Sequence, residues 1–196
     1  ARADIVVAAM LFLEDHIRLV LPALSARREH CDAIACCLSA PEVMKLTKLG
    51  KFSMSGEAKG IVGLLKRLRG KSTGAGASGK GQMKMLRELP KLLRFIPGTA
   101  QDVRAYFLTL QYWLAGSSDN LANMVALLAT RYAGGQRRTA VAALKVEAPI
   151  HYPEVGLYHP RAKGRILERV DGLPRPGTKG TVGLVLLRSY VLAGNA

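Results

Sequence analysis

Residues 4–49 read DIVVAAMLFLEDHIRLVLPALSARREHCDAIACCLSAPEVMKLTKL, and their alternation of apolar runs with helical spacing sets the fold class. Ile5 to Met10 is a continuous apolar run, the composition of a parallel strand covered on both faces. Phe12 to Arg28 follows with apolar residues at helical spacing, and Ala33 to Leu38 is a second buried-type strand. Pro41 to Leu49 then opens a helix, with Ser39 as a natural cap and Pro41 in the first turn. This order predicts an α/β fold: a partial Rossmann-like parallel sheet, with a further first strand expected upstream of Ala1. The crevice of such a sheet opens at the carboxyl ends of its strands, here near Glu14, Asp15, His16 and Ser39. Consecutive helical side chains point about 100° apart, so Glu14, Asp15 and His16 do not close readily on one ion. The two acids suit the positive end of the helix dipole.

Outward from this unit, residues 95–124 read FIPGTAQDVRAYFLTLQYWLAGSSDNLANM. Thr99 followed three residues later by Asp102 is a helix-start pattern in which each side chain can satisfy an orphan backbone donor. Val103, Tyr106, Phe107, Leu110, Trp113 and Leu114 then line one face, and Gly116 ends the helix. Ser117 or Ser118 can cap a second helix with Leu121, Met124, Val125, Leu128 and Tyr132 as its apolar stripe, stopped at Gly134 and Gly135. The short link predicts an antiparallel helical hairpin.

A formal net charge of +15 is concentrated between Lys45 and Arg94, where thirteen Lys or Arg face only Glu57 and Glu88. Ile61, Leu64, Leu65 and Leu68 make one face of a short helix there, with Lys66, Arg67 and Arg69 on the other. Lys84, Arg87, Lys91 and Arg94 form a basic stripe opposite Leu86, Leu89 and Leu93, in a helix that Pro90 should kink or interrupt. Such a stripe is a solvated helix face, or a contact for an acidic partner or an anionic membrane surface. It lacks the interleaved aromatics and motifs that nucleic-acid binders supply, so no nucleic-acid partner is expected. Gly74 to Lys80 matches the spacing of a phosphate-cradling loop, but Gly81 stands where Ser or Thr should ligate magnesium, and the Gly/Ser density of 71–82 reads as a linker. Cys31, Cys36 and Cys37 have neither disulfide nor zinc spacing and read as buried thiols, so no protein-bound metal is expected. The apolar runs fall short of the roughly 20 residues that cross a bilayer, and no leader pattern is visible.

Residues 149–164 (PIHYPEVGLYHPRAKG) form an extended, proline-punctuated segment with His151 and His159, and Thr181 to Leu187 reads as a buried-type strand with Arg188 to Asn195 as its exit loop. At 196 residues and 49% hydrophobic, the chain can bury one ordinary core, or one and part of a second. Three parts are therefore expected: an α/β head with helices over 1–135, a connector over 136–180, and over 181–196 the first strand of a further α/β domain.

The wording of 95–124 resembles the large porphyrin-binding H subunit of magnesium chelatase, a family related to the cobaltochelatase large subunit. Three further stretches agree: DIVVAAMLFLEDH (4–16), EVGLYHPRA (154–162) and TVGLVLLRSYVLAGN (181–195). The match runs along most of the chain with gaps in its middle and is nearer the bacteriochlorophyll type than the plant type. Since that family's chains are far longer, it implies an N-terminal fragment. It also implies ATP-dependent insertion of Mg²⁺ into protoporphyrin IX, with ATP hydrolysed by separate AAA+ motor subunits. Mg²⁺ and ATP would then serve the whole complex, with neither bound to this piece, in a bacterial cytoplasm or, for a plant or alga, a plastid. No catalytic residue is assigned here, and the isolated piece is expected to be inactive. Tyr158 and His159, which match the family wording, are candidates for the substrate path; Lys84, Arg87, Lys91 and Arg94 are candidates for partner contact. The alternatives are a stand-alone basic interaction module and a phosphate-binding α/β enzyme.

Overall fold

The computed structural model describes residues 3–55, 87–169, 179 and 183–194. Strands β1 (Ile5–Ala9) and β2 (Ala33–Cys37) pair in parallel, from Ile5 opposite Ala33 to Ala9 opposite Cys37. Helix α1 (Glu14–Arg28) crosses between them. The sheet then continues antiparallel through β3 (Lys48–Leu49) and β4 (Phe52–Ser53), in the order β1-β2-β3-β4. It is a mixed α/β sheet, parallel only in its first pair. The helix expected over Pro41 to Leu49 stops early: α2 spans Pro41–Met44, and Ser39 does not cap it. The Ser39 hydroxyl instead accepts from Leu11 N (3.1 Å) and donates to Cys37 O (3.0 Å), tying together the loops above the two strand ends. Thr47 explains the early stop. Its buried hydroxyl accepts from Cys36 N (3.2 Å), turning the chain back along β2 so that β3 can pair there.

Strand β2 is buried along its length, and its alternation separates two layers. Ile34 and Cys36 pack with Ile17 of α1 and Val43 of α2. On the opposite face, Ala33, Ala35 and Cys37 meet Leu89 and Leu93 of a helical stretch over 87–93 (α3) and Val103, Tyr106 and Leu110 of α4 (Thr99–Ala115). The small strand residues on this face leave room for Tyr106, which meets Phe52 edge-on at 5.6 Å and donates its hydroxyl to Cys36 O (3.1 Å). Pro90 lies inside α3 and does not interrupt it.

Helix α5 (Ser118–Tyr132) completes the hairpin, capped by the Ser117 hydroxyl, which accepts from Asn120 N. Two details differ from expectation. Gly98 occupies the cap of α4, which frees Asp102 to accept from Lys51 N (2.9 Å) and Tyr132 OH (3.0 Å), latching the β3–β4 turn to both hairpin helices. The inward face of α5 is Asn120, Met124, Leu127 and Leu128, while Leu121 and Val125 lie exposed. A further helix α6 (Gly135–Val141) is pinned to the sheet by Arg137, which bridges Asp4 (2.6 Å) and Asp32 (3.2 Å).

All three cysteines are buried and free. Burial pushes the Cys36 thiol up to about 11, partly opposed by its Thr47 hydrogen bond, and the Cys37 thiol up to about 12, reinforced by Cys36. A thiol reagent at pH 8 is therefore expected to leave both unmodified in the folded chain and to modify both on unfolding; labelling without unfolding would contradict this. Above the ordinary thiol value near 9, the unfolded chain releases protons that the folded chain retains. The stability these thiols contribute is thus complete below that pH and lost as pH rises through 11 to 12.

The strand expected over Thr181 to Leu187 does not form a ladder among the described residues: 183–187 belong to no strand or helix, and Leu184 to Leu187 lie exposed. A strand requires an edge to bond with, and none meets this segment among the described residues. Its expected exit loop is helical instead, as α7 (Arg188–Ala193).

Candidate functional site

Residues 147–153 run across the open side of the helical hairpin as a strap, held through its backbone. Asn123 accepts from Glu147 N (2.7 Å), and the Tyr112 hydroxyl donates to Glu147 O. One helical turn away, the buried Asn120 amide clasps Ile150 twice, donating to its carbonyl and accepting from its N–H, both at 2.9 Å. Beyond it, Arg188 of α7 donates to Pro153 O (2.7 Å) and Tyr152 O (3.2 Å). Asn is a poor helix former because its amide competes for backbone groups. Two of them three apart on α5 therefore place an amide row where a neighbouring strand would otherwise bond.

The Tyr152 ring is the pivot of this assembly. Its hydroxyl bonds to Ser117 Oγ (3.3 Å), and the backbone of Gly164 (φ +65°) lies so close to its ring that an added Cβ would overlap it. Gly164 belongs to a single 3-10 turn (Lys163–Arg165) in the hairpin of β5 (Leu157–Tyr158) and β6 (Ile166–Leu167).

Tyr158 is partly exposed and pairs with Ile166 in that hairpin. His159 forms its corner: its N–H donates to Arg165 O (3.0 Å), its carbonyl accepts from Ala162 N (3.1 Å), and its Nδ1 accepts from Arg161 N (3.3 Å). The structure thus gives His159 a turn-forming role. Of the basic stripe, Arg87 and Lys91 are exposed on α3, opposite the buried Leu89 and Leu93, Arg94 is exposed in the turn that follows it, and Lys84 lies outside the described residues. The helix expected around Ile61 to Arg69 and the Gly/Ser-rich segment 71–82 also lie outside them. Lys91 pairs with Glu88 (2.9 Å), and the Arg94 guanidinium sits 5.9 Å from the Phe95 ring centre.

Further cations join this face from distant parts of the chain. Arg104 donates to Pro90 O (3.0 Å), and its guanidinium is shifted down, by burial first and then by Arg131 and Arg94. Between α3, α4, the strap and α7 lies a small cavity of about 50 Å³, lined among others by Arg87, Gln111, His151, Glu154 and Arg188. Burial, followed by the charges of Arg87, Lys91 and Arg188, holds the His151 imidazole below its ordinary value. Single-sequence spacing could not assemble Arg87, His151 and Arg188, but the Asn-x-x-Asn pair on a predicted helix was a readable sign of the strap. A second, open cleft of about 480 Å³ lies at the start of α5, between Asp119, Arg165 and α7. At the strand ends, Glu14 pairs with Arg18 (2.6 Å). Among the described residues, no three His, Cys, Asp or Glu side chains converge to hold a metal, and no helix is long and apolar enough to cross a membrane.

Residues 1–107 match a family described as Domain of unknown function (DUF3479), and residues 110–196 match CobN/Magnesium Chelatase. The seam between the two falls inside α4, whose Val103, Tyr106 and Leu110 share one core, so the matched regions are packed together. Among curated relatives, the chain is 52% identical over 195 residues to the magnesium-chelatase H subunit of Cereibacter sphaeroides, covering 99% of this chain and 16% of that one. It is 47% identical over 192 residues to the H subunit of Rhodobacter capsulatus (97% of this chain, 16% of that one). To the chloroplastic ChlH subunit of Oryza sativa subsp. indica it is 34% identical over 212 residues (100% of this chain, 15% of that one). The chain belongs to the magnesium-chelatase H-subunit family, nearer in identity to these bacterial relatives than to the rice one. It spans about a sixth of their length, 16% of the bacterial chains.

Proposed function

We propose that this chain is the N-terminal part of the porphyrin-binding subunit of a magnesium chelatase, acting as scaffold and partner-contacting surface in ATP-dependent insertion of Mg²⁺ into protoporphyrin IX. The observation that carries the reading is the 52% identity over 99% of the chain to a magnesium-chelatase H subunit. Mg²⁺, as substrate, sheds its water reluctantly and prefers oxygen ligands, and the porphyrin must release two pyrrole protons before four nitrogens can take the ion. That work calls for carboxylates or imidazoles in a cavity large enough for the macrocycle. Several of the acids and imidazoles here make structural contacts: Asp102 latches a turn, Asp32 receives Arg137, and His159 accepts from a backbone N–H in a corner. In this reading, residues 1–135 form the head and 136–180 the connector, and the exposed run Leu184 to Leu187 opens the next α/β domain. The setting is a bacterial cytoplasm, or a plastid in a plant or alga, and ATP is spent by AAA+ motor subunits that meet the basic face.

The test is insertion of Mg²⁺ by the full-length protein with its partner subunits and ATP, followed by the shift of porphyrin fluorescence. Insertion that requires all components is expected. Absence of porphyrin binding by the full-length protein would overturn the reading.

A further inference from the structure

The cavity beside the strap has the size and charge of a receptor for one carboxylate. Its volume of about 50 Å³ is several times the ~10–15 Å³ that one water requires and well below the ~300 Å³ where small-molecule pockets begin, which suits a small anionic group better than a flat macrocycle. Arg87 and Arg188 face it from separate helices, close enough that each bears on the charges of its neighbours. Among the described residues, neither guanidinium has a carboxylate at ion-pair distance; Arg188 spends two donors on the carbonyls of Tyr152 and Pro153. Glu154 is the acid of the cavity wall and acts on Arg188 only through space. Lys91, already held by Glu88, adds positive potential. Like charges gathered at a partly buried cavity repel one another until an anion arrives, and a guanidinium fork matches a carboxylate in particular.

The surroundings favour a protein-borne carboxylate. Val155 and Leu187, chain neighbours of the cavity's Glu154 and Arg188, are 88% and 69% exposed, and Tyr190 on α7 is 56% exposed. Exposed aromatic and apolar side chains near an available arginine are the residue types enriched in protein contacts. We propose that this cavity receives an Asp or Glu side chain from an acidic segment of a partner subunit, with Arg87 as the exposed half of the clamp. The proposal rests on the chelatase reading above and gives its partner surface a centre.

The experiment uses the full-length protein and the partner motor subunits, with affinity measured at low and high salt. Arg87→Glu is expected to weaken association roughly tenfold at low salt, with a smaller difference at high salt, while porphyrin binding and thermal stability stay unchanged. Glu154→Gln, which removes the competing acid, is expected to tighten association severalfold, an outcome that damage to the fold would not produce. Wild-type association with both variants indistinguishable from it would overturn the pocket and leave the chelatase reading intact. Loss of porphyrin binding in Arg87→Glu would overturn the protein-borne source in favour of a porphyrin propionate. A wild-type protein that binds no motor subunit would overturn both readings together.

Discussion

Replacing Asn120 with Ala is expected to destabilise the chain by about 2–4 kcal/mol, since it removes two hydrogen bonds and strands the polar groups they satisfied. Asn120 is fully buried, and its amide pairs with both backbone groups of Ile150, so the loss falls on a donor and an acceptor that have reduced access to water. Alanine also leaves a gap beneath the strap. The consequence goes beyond the melting temperature, because the clasp at Ile150 lies between the bonds at Glu147 and those at Tyr152 and Pro153. With the centre open, the strap should lift, and trypsin should cut at the exposed Lys145 faster than in the wild type. Asn120→Asp separates packing from hydrogen bonding. It keeps the shape but sets a carboxylate oxygen against the Ile150 carbonyl, so at neutral pH it should cost at least as much as alanine. Chemical denaturation with a loss below about 1 kcal/mol in both variants, and unchanged cleavage, would contradict the clasp.

Gly50→Ala is expected to cost about 3 kcal/mol, for two reasons that can be measured separately. Gly50 has φ +55°, where an L side chain costs ~1–2 kcal/mol, and its added Cβ would lie 2.7 and 2.8 Å from the two carboxylate oxygens of Asp102. Asp102 can escape only by rotating away from Lys51 N and Tyr132 OH, which undoes the latch between the turn and both hairpin helices. Asp102→Ala should destabilise by itself yet create the space that the methyl added by Gly50→Ala needs. The double substitution should therefore cost less than the sum of the singles by about 1 kcal/mol or more. Strict additivity would show that the clash is not with Asp102 and would sink this account of the turn.

These two sites mark where reading the sequence succeeds and where it stops. The run AIACC over 33–37 announces a buried strand through composition alone, and the hairpin over 99–132 through its periodicity, its glycine and Ser117. Elements of two to four residues carry no period, so the early stop of α2 and the antiparallel β3 depended on the Thr47 hydroxyl finding Cys36, a contact that spacing does not encode. The segment 183–187 has the pattern of a strand, but strandness is settled by a bonding edge, and its residues remain exposed. Asp102 looked like a capping residue because local patterns are read locally; its partners lie fifty-one and thirty residues away. The pocket was hidden for the same reason: its basic residues Arg87, His151 and Arg188 come from α3, the strap and α7, and of these Arg87 alone stood in a visible stripe. Tyr158 and His159 were legible as a family-like phrase, and the backbone of His159 explains the phrase as a corner.

In the proposed reading, these residues scaffold the porphyrin-binding subunit without gripping porphyrin themselves. The decisive measurement is protoporphyrin IX fluorescence quenching on the full-length protein beside the 196-residue chain, with circular dichroism confirming that the shorter chain is folded. Saturable quenching by the full-length protein and none by the folded chain alone is the expected result. Equal affinity in the two would contradict it and place the porphyrin site within this part of the protein.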